Sequence, residues 1–92
     1  MIVSFADSET KRLAEGFRVR RFISIERVAR RKLRQLQIAG VLQDLAIPPG
    51  NRLEKLLGDR KGFLSIRINQ RWRICFQWTE AGPAEVEIVD YH

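Results

Sequence analysis

Apolar residues recur first at helical spacing and later at every second position, and the switch falls at Pro48-Pro49-Gly50. Residues 2–5 read as a short strand. Asp7 is placed to cap a helix over 8–15, and Gly16 to end it. Only Leu13 and Ala14 give that helix good apolar positions, so loose packing is expected. Residues 17–23 read as a connection. A second helix is predicted over 25–39, capped by Ser24 and closed by Gly40. At 100° per residue, Ile25, Val28, Ala29, Leu33, Leu36 and Ala39 share one face. Lys32 falls among them and is expected to carry its charge out along the edge of the buried face. Arg27, Arg30, Arg31 and Arg34 form a stripe on the other side. A short apolar turn follows over 41–47, and the prolines then break the helical pattern.

Beyond the break, residues 52–56 read as a strand, 58–62 and 81–83 as turns, and the rest as an antiparallel meander. Parity sets its register, because directly paired antiparallel residues point to one face. A three-residue loop over 69–71 pairs Ile68 with Trp72, Ile66 with Ile74 and Leu64 with Phe76. The last hairpin then pairs Phe76 with Val86 and Ile74 with Ile88. The even-numbered face is apolar and awaits the helices, with Trp72 and Trp78 as packing residues. The odd-numbered face carries Ser65, Arg67, Arg71, Arg73, Cys75, Gln77, Val89 and Tyr91. It reads as a platform for RNA, with cations for phosphate and an aromatic for stacking, or as a half-wet sheet with ordinary strand arginines. Helices first and strands after make the predicted class α+β, in one domain over 1–92, helical over about 1–47 and strand-rich over about 52–92.

Charge sharpens this picture. Lys and Arg total 17 against 11 acids among 92 residues, for a net +6. Residues 1–40 hold all of the excess, while 60–73 carry Arg60, Lys61, Arg67, Arg71 and Arg73 with no acid. A small basic domain suggests a polyanionic partner. The arginine stripe is read as a contact for ribosomal RNA or an acidic partner, or as a solvated face. The one cysteine excludes an internal disulfide, and no apolar run approaches the ~18–20 residues of a membrane helix. No leader pattern precedes Asp7 and Glu9, so a cytoplasmic location is expected. No metal or cofactor is expected.

The run Gly50-Asn51-Arg52-Leu53-Glu54, Leu56, Gly58-Asp59-Arg60, Gly62, Ser65-Ile66-Arg67-Ile68-Asn69, Trp72-Arg73-Ile74-Cys75-Phe76 and Val86-Glu87-Ile88-Val89-Asp90-Tyr91-His92 resembles the HigB-type toxins, also called the plasmid-maintenance killer protein family, within the RelE/ParE-like toxin superfamily. The resemblance covers nearly the whole chain and is densest over 50–92. It implies a RelE-like fold, with N-terminal helices on one face of a small, mainly antiparallel sheet. It also implies a ribosome-dependent mRNA endoribonuclease without a metal. The implied partners are a HigA-type helix-turn-helix antitoxin, the ribosome and mRNA, with DNA reached only through the antitoxin. Carried over residue by residue, the active-site cluster is Asp90, Tyr91 and His92 with Arg73. Glu54 joins them, at a position where some members have His. This chain has Leu57 where many members carry Lys, with Lys55 and Lys61 nearby.

The chemistry suits these groups. Metal-free RNA cleavage activates the 2′-OH, attacks phosphorus in line and protonates the leaving 5′-oxygen, which requires a base, an acid and cations. His92 has the most suitable unperturbed pKa. Tyr91 titrates near 10 and needs neighbouring cations, Arg73 and Arg67, to serve as a base; it could instead stack on a base or orient the phosphate. Arg73 is expected to stabilise the phosphate and Asp90 to orient the site. Glu54 is an acid/base candidate, and Arg67, Arg71, Arg60 and Lys61 are expected to position RNA. Two other functions fit the same fold: a ParE-like inhibitor of DNA gyrase, and a catalytically degenerate module that binds RNA or a partner.

Overall fold

The computed structural model describes residues 1–91, so the expectations for His92 lie outside the described residues. Helix α1 spans Ser8–Ala14, α2 spans Glu26–Ile38, and strands β1 (Glu54–Lys55), β2 (Leu64–Arg67), β3 (Trp72–Thr79) and β4 (Gly82–Asp90) form one antiparallel sheet in that order. The architecture is α+β, as the helix-then-strand order predicts. Among the described residues, no helix is long and apolar enough to cross a membrane.

Parity decides the layering. Leu64 pairs with Phe76, Ile66 with Ile74, and Ile74 with Ile88. The main-chain N–H of Ile68 donates to Trp72 O at 2.9 Å, which closes the expected three-residue loop. These even-numbered side chains join Phe22, Ala29, Leu33 and Leu36 in one core. Phe22 meets the Trp72 ring edge-on, with centroids 5.7 Å apart. Helices therefore cover the even face and leave the odd face to the loop between β1 and β2.

Several local expectations change. Residues 2–5 do not form a full strand; Phe5 makes one parallel bridge to Val86, with Val3 N–H donating to Pro83 O at 2.7 Å. Ser24 does not cap α2, because a 3-10 turn over Arg20–Ile25 runs straight into the helix. β1 is only two residues long, since Arg52 sits at φ +45° and cannot continue a strand. The last turn is Glu80-Ala81, and Gly82 already pairs with Thr79 in β4. At φ +128°, a Cβ on Gly82 would collide with the Met1 carbonyl oxygen, so glycine is required there. Between Cys75 and Gln77 the register slips by one, with Glu85 at φ +52°, so the regular pairing carried up from Ile74–Ile88 ends near Phe76.

Helix α1 is not loosely packed. Asp7 caps it, accepting from Thr10 N–H at 3.1 Å, and Leu13 is buried. Thr10, which carries no apolar signal, is fully buried and accepts from Ile88 N–H at 3.1 Å through Oγ1. Thr10→Val keeps the shape but orphans that amide. A loss of about 1–3 kcal/mol is expected, read as a lower urea midpoint at unchanged slope.

Candidate active site on the odd-numbered face

The sheet register lays side chains across the odd face in rows. Glu54 lies opposite Ser65, Ser65 opposite Cys75, and Cys75 opposite Glu87. The next row is Arg67, Arg73 and Val89, and Tyr91 follows two residues further along. The centre of this face is not wet: Ser65 and Cys75 are fully buried, covered by longer neighbours and the loop before β2.

Arg73 organises the site. Its side chain is only 11% exposed and lies flat along the sheet. Nε donates to Ser65 Oγ at 2.8 Å, and Nη2 donates to the Arg52 carbonyl at 2.9 Å. Nη2 also stands 3.5 Å from the carboxylate of Glu54, which is itself more than half exposed. A guanidinium carries five N–H donors. Here the fixed contacts engage Nε and Nη2, and the anchoring acceptors are neutral oxygens, so the cation is held without being buried against a matched carboxylate. On the other flank, Arg60 reaches Glu87 at 3.5 Å and covers the Phe63 ring at 6.0 Å.

Tyr91 stands beside Cys75, and the phenol and thiol share a hydrogen bond. Burial pushes the Tyr91 hydroxyl up from its ordinary value and the Cys75 thiol adds to this, while Arg60 and Arg73 pull the other way and do not prevail. The Cys75 thiol is likewise pushed up, chiefly by burial. This corrects the expectation that arginines would draw the tyrosine towards a base: the cations acting on it are Arg60 and Arg73 rather than Arg67, and the phenol stays neutral. A neutral phenol is a hydrogen-bond donor. Tyr91 is the single tyrosine of the chain, so its absorbance near 295 nm titrates it alone. The midpoint is expected above 10; a midpoint at or below 10 would contradict this geometry. By linkage, a raised phenol stabilises the fold fully below its unfolded pKa and loses that contribution as pH climbs through the folded value.

The other expected site residues divide. Arg67 lies next to Arg73 in the sheet, and Lys61 is exposed in the turn before β2. Leu57 is exposed at the start of that loop. Asp90 and Arg71 engage each other instead, with Nε and Nη2 each 2.8 Å from a carboxylate oxygen, and Arg71 rests over the Trp72 ring at 5.8 Å. Asp90 pairs with Trp72 in the register and so belongs to the even side. Arg27, Arg31 and Arg34 are exposed on α2, across the sheet from this site. Arg30 is half-buried, tied to Glu26 at 3.2 Å and donating to Phe17 O at 2.9 Å. A groove of about 750 Å³ runs along Ile2, Phe5, Leu13, Arg30, Arg31 and Arg34.

Sequence reasoning misses the support beneath Arg73. Lys32 does not reach water but is buried, its Nζ donating to Asn51 Oδ1. Burial lowers its pKa, and Arg31 and Arg67 lower it further. Asn51 is fully buried too, with Nδ2 donating to Gln35 Oε1 at 2.9 Å and to Leu45 O at 3.0 Å. The one visible signal was a lysine at a core position of α2.

Comparison with known proteins agrees with this architecture. The sequence model of one family, the RelE-like toxin of type II toxin-antitoxin system HigB, matches residues 3–92. The chain belongs to the HigB-like toxins. It is also 43% identical over 94 residues to Toxin HigB-1 of Vibrio cholerae serotype O1 (strain ATCC 39315 / El Tor Inaba N16961), covering 100% of this chain and 98% of that protein. A HigB-like toxin works within a toxin–antitoxin pair, so an antitoxin is its partner, and the family as a whole generally cleaves mRNA.

Proposed function

We propose that this HigB-like toxin is a ribosome-dependent, metal-independent mRNA endoribonuclease that arrests translation in the cytoplasm and is silenced by a HigA-type helix-turn-helix antitoxin. The observation that carries the reading is Arg73, held by neutral oxygens beside the carboxylate of Glu54 and on the same face as the Tyr91 hydroxyl. A scissile phosphate docked on Arg73 gains a fixed cation for the charge of the phosphorane, which costs no reorganisation during reaction. Glu54 takes the proton of the 2′-OH or returns one to the leaving oxygen. Tyr91, as a neutral phenol, donates to a phosphate oxygen, and His92 shares the acid/base work.

Arg67, Arg60 and Lys61 continue the positive charge beside the site and position RNA. Asp90 and Arg71 brace the end of β4, from which Tyr91 follows. The exposed arginines of α2 meet ribosomal RNA or an acidic segment of the antitoxin, and DNA is reached only through the antitoxin.

Single-turnover cleavage of mRNA on programmed ribosomes tests the assignment of residues. Tyr91→Phe and His92→Ala are each expected to slow cleavage by about 10²-fold or more at neutral pH, and EDTA is expected to change nothing. Unaltered rates in both variants would remove the C-terminal residues from the chemistry.

A further inference from the structure

Arg73 is aimed by a carbonyl, and that carbonyl belongs to a residue in an uncommon conformation. Arg52 sits at φ +45°, where residues other than glycine are rarely found. That conformation accompanies an Arg52 carbonyl 2.9 Å from Arg73 Nη2. Arg52 follows Asn51, and Asn51 is pinned on every polar group. Its N–H donates to Pro48 O at 3.1 Å, and its carbonyl accepts from Arg67 N–H at 2.6 Å. Its side-chain amide donates to Gln35 and Leu45 O and accepts from the buried Lys32. The knot joins α2, the turn after it and β2 at the one place where the backbone leads into β1. A hydrophobic residue in place of Lys32 would satisfy the packing of α2 without the burial of an amine, so the lysine calls for another explanation.

We infer that Lys32, Asn51 and the Arg52 backbone are positioning residues for Arg73: the buried Lys32–Asn51 pair holds Arg52 in its left-handed conformation, and the Arg52 carbonyl then orients the guanidinium. This inference rests on the nuclease reading of Arg73 for its kinetic consequence, but not for its structural one. None of the three touches the RNA in this role; they act through Arg73.

The test compares two substitutions that remove the same guanidinium. Asn tolerates positive φ and a β-branched residue does not. Arg52→Val is therefore expected to cleave mRNA on programmed ribosomes about tenfold or more slowly than Arg52→Asn. If Arg52 served only through its charge, the two variants would fall equally. Lys32→Met, which keeps the length of the side chain, is expected to lower the single-turnover rate about tenfold, with little change in the toxin concentration giving half-maximal rate. In an Arg73→Lys background the same change is expected to cost much less, because the group it positions is gone; a purely structural role would give equal losses in both backgrounds.

A second readout needs no activity. In 15N-edited NMR of the full chain, the Arg73 guanidinium, assigned by its loss in Arg73→Lys, is expected to show slowed Nη rotation from the bond to Arg52 O. That slowing should persist in Arg52→Asn and disappear in Lys32→Met and in Arg52→Val. Unchanged guanidinium signals in folded Lys32→Met would overturn the inference. Intact mRNA from the parent protein with the NMR pattern as expected would overturn the nuclease reading alone.

Discussion

Arg73→Ala is expected to lower mRNA cleavage on the ribosome by about 10²–10³-fold, the usual consequence of removing one preorganised donor from an oxyanion-stabilising site. The guanidinium is 11% exposed and bound through Nε to Ser65 and through Nη2 to Arg52 O, so its orientation is set before RNA arrives. Arg73→Lys keeps the charge and loses the planar fork that reaches both oxygens, so it should recover only part of the rate. Because the alanine variant also leaves Glu54 without its cation and opens space over Ser65, its fold is checked by circular dichroism. A folded Arg73→Ala that cleaves within threefold of the parent would contradict the site.

The largest effect on stability is expected at Phe76. It is fully buried in the middle of β3, opposite Leu64, and belongs to the face that the helices cover. Phe76→Ala removes most of an aromatic side chain from the core, and such truncations cost about 3–5 kcal/mol. Against a total stability of about 5–15 kcal/mol for a typical domain, that brings the protein near its unfolding threshold. For a chain of this size, each kcal/mol moves the melting temperature by about 4–8 °C, so a fall of at least about 12 °C is expected in a thermal scan. A loss under 1 kcal/mol would mean that the even face is not the core. Phe63, half-buried beneath Arg60 on the other face, should tolerate the same truncation far better.

The register of β2 and β3 is legible because alternation has a period of two, and a one-residue slip would drive Arg67 and Arg73 into the core. The same logic stops at Glu85, where a bulge depends on the backbone of a residue that carries no turn signal. Ser24 has the composition of a cap, yet the chain entering α2 is already wound as a 3-10 turn, so the cap has no orphan amides to serve. Alternation lets the odd face read as an RNA platform or as a half-wet sheet, and says nothing of burial there. Ser65 and Cys75 are buried regardless, because arginine and tyrosine side chains are long enough to lie over small neighbours.

Of the site, parity places Arg73 and Tyr91 together, whereas Glu54 follows only from the resemblance and is joined to them through Ser65 by the observed register. Parity also separates Asp90 from Tyr91, because one residue along a strand reverses the direction of the side chain, and Asp90 accordingly binds Arg71 near Trp72. The knot around Asn51 shows in the sequence only as a lysine at a core position of α2. Its side-chain hydrogen bonds link residues 6 to 19 positions apart, and no periodicity reports such contacts.

The central claim is cleavage of mRNA in the context of the ribosome, and mapping of new mRNA 5′ ends tests it most directly. Purified toxin is added to programmed ribosomes, to the same mRNA without ribosomes, and to both in the presence of EDTA. The account predicts discrete cuts only where ribosomes are present, undiminished by EDTA. Intact mRNA from a folded protein that still arrests growth in cells would contradict it, and damaged DNA in those cells would point to gyrase as the target.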